Sequence, residues 1–356
     1  MLALLLVLVC LAVCCPVCAW GEESGSDQPV LPQEVADLAD QGQQAQSLWQ
    51  QGAGELLQSL WQQFSGKVTQ PLQLFLRMGL LLVFAAVAAA PASGGDRPFL
   101  PLVETVCFLA CAGLCIQPLQ QLAEQTRQQI LACKSLLLGS VPVLASVLAG
   151  GGQPASAAVF SGFFLSAGLV LAELAAGLAL PLVQILLALH TAAGACEFVG
   201  VGAAASLAQR TVKWLLGLVS ALFAALLGVQ NIVAGASDSL AMKTGKFLLS
   251  SSIPIVGQAV SGAVGAVNAG LKAARSAAGL GLLASVTGCF LPVVLQSLAF
   301  WMALSAAAAL ARGLDCGRCA ALLKGAAGCA SLCGLILLFY ALPVLLATVA
   351  MMNAGG

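Results

Sequence analysis

Cys316, Gly317, Arg318 and Cys319 form the one stretch of this chain whose residue types and spacing suit redox or metal chemistry. An arginine between two cysteines favours the thiolate, the reactive form in thiol exchange. Cys329 and Cys333 follow within the next turns of chain and would complete four sulfur ligands for a metal. Against that, Cys329 and Cys333 fall in an apolar, helical stretch, and free thiols are the simpler reading in a chain with 14 cysteines. Cys107, Cys111 and Cys115 recur every four residues in another apolar stretch, where a thiol serves as a small, soft side chain on one helix face.

The remaining candidates are few. His190 is the only histidine and lies in an apolar run, where hydrogen bonding to a neighbouring helix is the expected role. No nucleotide-binding lysine loop is present, and Gly150-Gly151-Gly152-Gln153-Pro154 reads as a linker. ATP hydrolysis, where required, has to come from a separate chain. Glu104 and Glu173 sit in otherwise apolar segments with no basic residue in the same segment. Acids so placed either line a polar path and couple protons, or stay neutral and hydrogen-bonded between helices. No catalytic, cofactor-binding or metal-binding residue is expected, and the chain does not read as an enzyme.

The elements that position these groups are membrane segments. The chain of 356 residues is 60% hydrophobic and only 8% charged, with a mean hydropathy of +1.00. Soluble domains carry about a quarter charged residues, so this chain lacks the polar surface to face water on all sides. Net charge is zero, yet seven of the 14 acids precede residue 71, where Lys67 is the only base. The basic residues are scattered in ones and twos, which argues against nucleic acid as a partner.

Residues 1–19 have an apolar core closed by Val17-Cys18-Ala19 and read as a signal peptide, although no Lys or Arg precedes the core. Residues 20–70 are an exported, Gln-rich segment. Trp49, Ala53, Leu57, Leu60, Trp61, Phe64 and Val68 fall at spacings of three and four, which makes its second half an amphipathic helix. Residues 71–356 form a polytopic membrane domain. Spans are expected at 72–90, where Arg77 snorkels, then at 99–119, 157–178, 214–234 and 329–352. The apolar stretches 136–148, broken by Pro142, and 180–193, after Pro181, are short. The uncharged stretch 276–311 is long enough for a hairpin about Pro292. The fold expected is all-α, with seven to nine membrane segments, some broken or re-entrant. If 247–265 is re-entrant and 276–311 a hairpin, Lys243, Lys246, Lys272, Arg275, Arg312, Arg318 and Lys324 face one side, which the positive-inside rule makes cytoplasmic.

Gly257, Ser261, Gly265, Ala269, Ala273 and Ala277 recur every four residues and make a stripe of small side chains behind Pro254. In lipid such a stripe lets helix backbones approach closely, so it is expected to pack another helix of this chain or of a second copy.

The stretch 229–281 resembles the signature of the stage III sporulation protein AE family. The matching residues are Val229 and Gln230, Asp238, Lys243 and Lys246, then Pro254, Val256 and Gly257, and finally Lys272 and Gly279. More loosely, the order of parts is similar over residues 50–350, although this chain is shorter at its N-terminus and poorer in charge around 310–330. The resemblance implies a multi-pass protein of the mother-cell membrane around the forespore. It also implies a place in a channel or secretion-like complex, with other membrane subunits and a separate ATPase. It carries over no catalytic residue. Two further classes are a small-solute or ion transporter, suggested by Pro142, Pro254 and the two intramembrane acids, and a membrane enzyme using Cys316 and Cys319.

Overall fold

A computed structural model of the protein describes residues 53–89, 100–150, 153–195, 199–252 and 257–353, all within one compact unit. The signal peptide, the first part of the exported segment and Pro254 lie outside the described residues. The described chain is helical: α1 (Ala53–Ala89), α2 (Leu100–Gly150), α3 (Pro154–Ala195), α4 (Val199–Ser252), α5 (Gly257–Gly313) and α6 (Gly317–Asn353). Each contains a stretch long and apolar enough to cross a membrane.

Among the described residues there are therefore six such helices, against the seven to nine expected. The count falls because neighbouring apolar stretches fuse. The polar segment 120–134 does not break α2, which runs through Pro118 and Pro142. The stretch holding Pro142 is thus neither re-entrant nor separate. Likewise α3 runs through Pro181, and α5 through Pro292. A proline inside a helix removes one backbone hydrogen bond. In a membrane bundle that loss is tolerated, because neighbouring helices and local adjustment satisfy the freed carbonyl. Helix α3 also contains a π-helical turn over Val159–Phe164, well before Pro181. At the N-terminal end, α1 passes through Pro71, so the amphipathic segment and the first span are one continuous helix.

Continuity changes the placement of charge. The stretch 247–265 runs through residues outside the described ones, while helix α5 is not a hairpin at Pro292. Its 57 residues span about 85 Å. Lys243, Lys246, Lys272 and Arg275 therefore lie toward one end of the bundle, and Arg312, Arg318 and Lys324 toward the other. The expectation that all seven share one side is not met.

Helix α6 is the hub. It packs against α2, α3, α4 and α5, and 61% of its most apolar stretch is buried within the protein. Glycines on α6 let neighbours approach. The His190 ring of α3 lies over Gly325, the Gln209 amide of α4 over Gly328, and the Ser297 hydroxyl of α5 over Gly334, each where a Cβ would overlap it. Further along, Lys213 Nζ donates to Ser331 Oγ (2.9 Å), Ser220 Oγ donates to the Phe339 carbonyl (2.9 Å), and Phe290 meets Tyr340 edge to face. Only 11% of the corresponding stretch of α4 is buried, so α4 is peripheral.

Candidate functional site

Helix α3 is held at both ends by charges from other helices. Pro154 occupies its first position, where a missing N–H costs nothing. The next two donors, the N–H groups of Ala155 and Ser156, point to the carboxylate of Asp238 on α4 at 2.9 and 2.8 Å. Asp238 is buried, and its negative charge meets the positive end of the α3 dipole. At the opposite end, Arg318 of α6 donates from Nε to the Gly194 carbonyl (2.9 Å) and from Nη2 to the Ala195 carbonyl (3.3 Å). Its guanidinium also lies 5.7 Å from the centre of the Phe108 ring. Phe108 in turn covers Gly194 so closely that no side chain fits there. Asp238, a residue of the 229–281 signature, thus fixes α4 to the start of α3.

The two intramembrane acids differ. Glu173 of α3 forms an ion pair with Lys134 of α2, so its partner comes from another helix. Glu173 is exposed and Lys134 only partly so, which does not match a buried proton relay. Glu104 lies near the start of α2, half-buried and within electrostatic reach of Cys316 and Cys319. Arg77 faces a cleft of about 240 Å³ lined by Gln70, Gln73, Gln117, Gln121 and Phe300, beside the amides of the Gln70–Gln296 hydrogen bond. His190 Nδ1 bonds the Leu186 carbonyl one turn back (2.7 Å), and its ring packs on α6.

The four-cysteine grouping of Cys316, Cys319, Cys329 and Cys333 is not assembled. Cys319 turns instead toward α2, where its sulfur lies 3.8 Å from that of Cys107. Cys107, Cys111 and Cys319 have all three sulfurs within 4.8 Å of one another, and all three residues are buried. Cys329 and Cys333 are buried further along α6. Cys316 stands in the turn between α5 and α6, where burial pushes its thiol above the ordinary range and Cys319, Glu104 and Asp315 add to the shift. A thiol so raised is protonated at neutral pH and a poor nucleophile, which removes the main support for redox catalysis by the Cys316/Cys319 pair.

Of the signature residues, Gln230 is half-buried on α4. Lys243, Lys246, Gly257, Ser261, Gly265, Ala269, Lys272 and Gly279 lie on α4 and α5, but their side chains fall outside the described residues. Sequence reading misses Lys134 as the partner of Glu173, Arg318 as a helix cap and the contact glycines of α6. Pro154 after three glycines is the one local signal, since it marks a helix start in need of a cap.

The family model described as stage III sporulation protein AE matches residues 36–355. No curated protein and no solved structure matches the chain.

Proposed function

Because the chain belongs to the stage III sporulation protein AE family, we infer that it is a membrane-embedded core subunit of the channel or secretion-like complex that joins mother cell and forespore during endospore formation. The family match over nearly the whole chain carries this reading. Its seat is the mother-cell membrane around the forespore, its partners are other membrane subunits, and a separate chain supplies the ATPase. A second copy of this chain is a further partner.

The surface supports a role in an assembly. Exposed apolar residues run from Phe84 and Val87 on α1, toward the Leu100 end of α2, to Ile232, Val233 and Leu240 on α4, beside the Pro154 end of α3. Between these levels the 51 residues of α2 rise by about 75 Å. A bilayer has a hydrocarbon core of about 30 Å, and an ordinary tilt of about 20° shortens the helix only slightly. Part of this apolar surface therefore extends past the lipid core and calls for protein cover. The transporter reading loses support, because α2 is not broken at Pro142 and Glu173 has a cation beside it.

The test is recovery of the tagged full chain from sporulating cells in mild detergent, alongside a deletion strain carrying a late forespore reporter. Co-recovery of further membrane subunits and an ATPase, with reporter loss restored by the gene, is expected. A chain recovered alone, in cells whose deletion leaves sporulation and the reporter at normal levels, overturns the assignment.

A further inference from the structure

We propose that Cys107, Cys111 and Cys319, completed by Cys316 from the turn between α5 and α6, form a thiolate site for a closed-shell thiophilic cation, zinc, that ties α2 to α6. The spacing supports it first. Zinc sites of the structural kind pair two ligands with two to four residues between them. Here Cys107 and Cys111 are separated by three residues, and Cys316 and Cys319 by two. One pair lies on a single helix face, and Cys319 of the other meets it from the start of a helix, so three sulfurs converge from two elements far apart in sequence.

Distance supports it next. Zinc–sulfur bonds of about 2.3 Å in a tetrahedron place neighbouring sulfurs about 3.8 Å apart. The Cys107 and Cys319 sulfurs are separated by 3.8 Å. The three sulfurs together, all within 4.8 Å, need only small rotations to share one ion. Cys316 directs its thiol to the Leu314 carbonyl at 3.7 Å, yet it stands close enough to Cys319 and Cys107 to interact with both electrostatically. Cys316 stands outside the 4.8 Å group and has to turn its thiol from the Leu314 carbonyl toward it to complete the site. The turn that presents it is sharp: Asp315 adopts a left-handed conformation (φ 58°), and the Cys316 N–H donates to the Ala311 carbonyl at 2.9 Å. Aspartate is among the few residues that enter this region readily.

Charge is the third consideration. Each thiol that ligates gives up its proton, so four thiolates around Zn²⁺ leave a net charge of two negatives. The Arg318 guanidinium, next to Cys319 in the chain and over the Phe108 ring, brings a cation to this end of the bundle, while Glu104 lies within electrostatic reach of Cys316 and Cys319 and adds to the negative charge. Zinc needs no oxidant or reductant, and the site is closed to further ligands once four sulfurs are engaged. The role is therefore structural.

The full-length protein, purified in detergent with reductant, is tested for zinc by mass spectrometry of the metal and then loaded with Co²⁺. Expected are about one zinc per chain and the absorption of tetrahedral cobalt bound to thiolate. Cys319→Ser and Cys107→Ser, which remove sulfurs of the assembled group, should lose both signals, and Cys316→Ser should weaken the sulfur-to-cobalt band without abolishing it. Cys329→Ser and Cys333→Ser, elsewhere on α6, should keep them. A wild-type protein that holds no zinc and gives no thiolate–cobalt band overturns the site, whatever the variants do. So does a Cys107–Cys319 or Cys111–Cys319 disulfide in protein alkylated before cell lysis, which would make the cluster a covalent staple.

Discussion

At the scale of single residues, Asp238 shows how a polar side chain is accommodated in an apolar protein. It is buried, it accepts from the Ala155 and Ser156 N–H groups, and it comes from a helix more than eighty residues away. Removing it leaves two donors at the start of α3 without a partner in a place water reaches poorly. Asp238→Ala should therefore cost about 2 kcal/mol, the usual loss when a charge-assisted bond is removed and its donors are left unpaired. Asp238→Asn, which keeps one acceptor oxygen, should recover part of it. The midpoint of thermal unfolding in detergent reads the loss, and limited proteolysis near 151–153 should show the α3 start opening. Unchanged stability in Asp238→Ala would mean that the cap is decorative. None of this role is visible in sequence, where Asp238 is only the acid ahead of two spaced lysines. A carboxylate names no partner until folding supplies one. The same holds for Arg318, whose acceptors are backbone carbonyls, and for Gly325, Gly328 and Gly334, which look like composition until His190, Gln209 and Ser297 are set against them.

At the scale of elements, the departure from expectation is one of continuity. Hydropathy locates the apolar stretches correctly, because burial in lipid depends on composition. It does not show which stretches share a helix, since prolines and polar runs that end a helix in water need not end one inside a bundle. Helix α5 is the sharpest instance. Spin labels at residues 277 and 312 should lie about 50 Å apart if Gly257–Gly313 is one helix. Two helices folded back at Pro292 and packed side by side would bring the labels to about 10 Å. Pulsed electron resonance on the purified protein separates the two, and a dominant short distance would return α5 to the hairpin reading. Sequence does show one part of the thiol cluster: Cys107 and Cys111 fall on one face by their spacing alone. Their meeting with Cys319, and not with Cys329 or Cys333 further along the same helix, is a matter of how α6 packs along α2.

At the scale of the whole molecule, the six described helices run alternately up and down, as the contacts along α6 and the Asp238 cap on α3 require, and this fixes on which side each of them ends. The Ala53 end of α1, the Gly150 end of α2, the Ser252 end of α4 and the Asn353 end of α6 belong to one side. The Ala89 end of α1, the Ala195 end of α3 and the turn holding Cys316 belong to the other. Which side faces the cytoplasm is a separate matter and rests on the export signal read in residues 1–19. With residue 45 exported, Lys243, Lys246, Lys272 and Arg275 stand on the outer side, and Arg312, Arg318 and Lys324 on the inner. The positive-inside rule opposes the first group and favours the second, so charge alone leaves orientation nearly balanced. Parity is stricter, because a continuous helix cannot return a turn to the side it left. The experiment is therefore to place protease-cleavable tags at residue 45, between Ser252 and Gly257 and in the turn before Gly317, and to digest intact protoplasts from outside. Cleavage at the first two sites, with the third site protected until lysis, is the expected pattern. It would put the four thiols in the reducing compartment, where cysteines remain available to a metal. Protection of the first two sites with cleavage of the third would invert the protein and reject the export signal, yet keep the six-helix parity. Cleavage at only one of the first two sites would break that parity, and with it the unbroken course of α1, α2, α3 or α4.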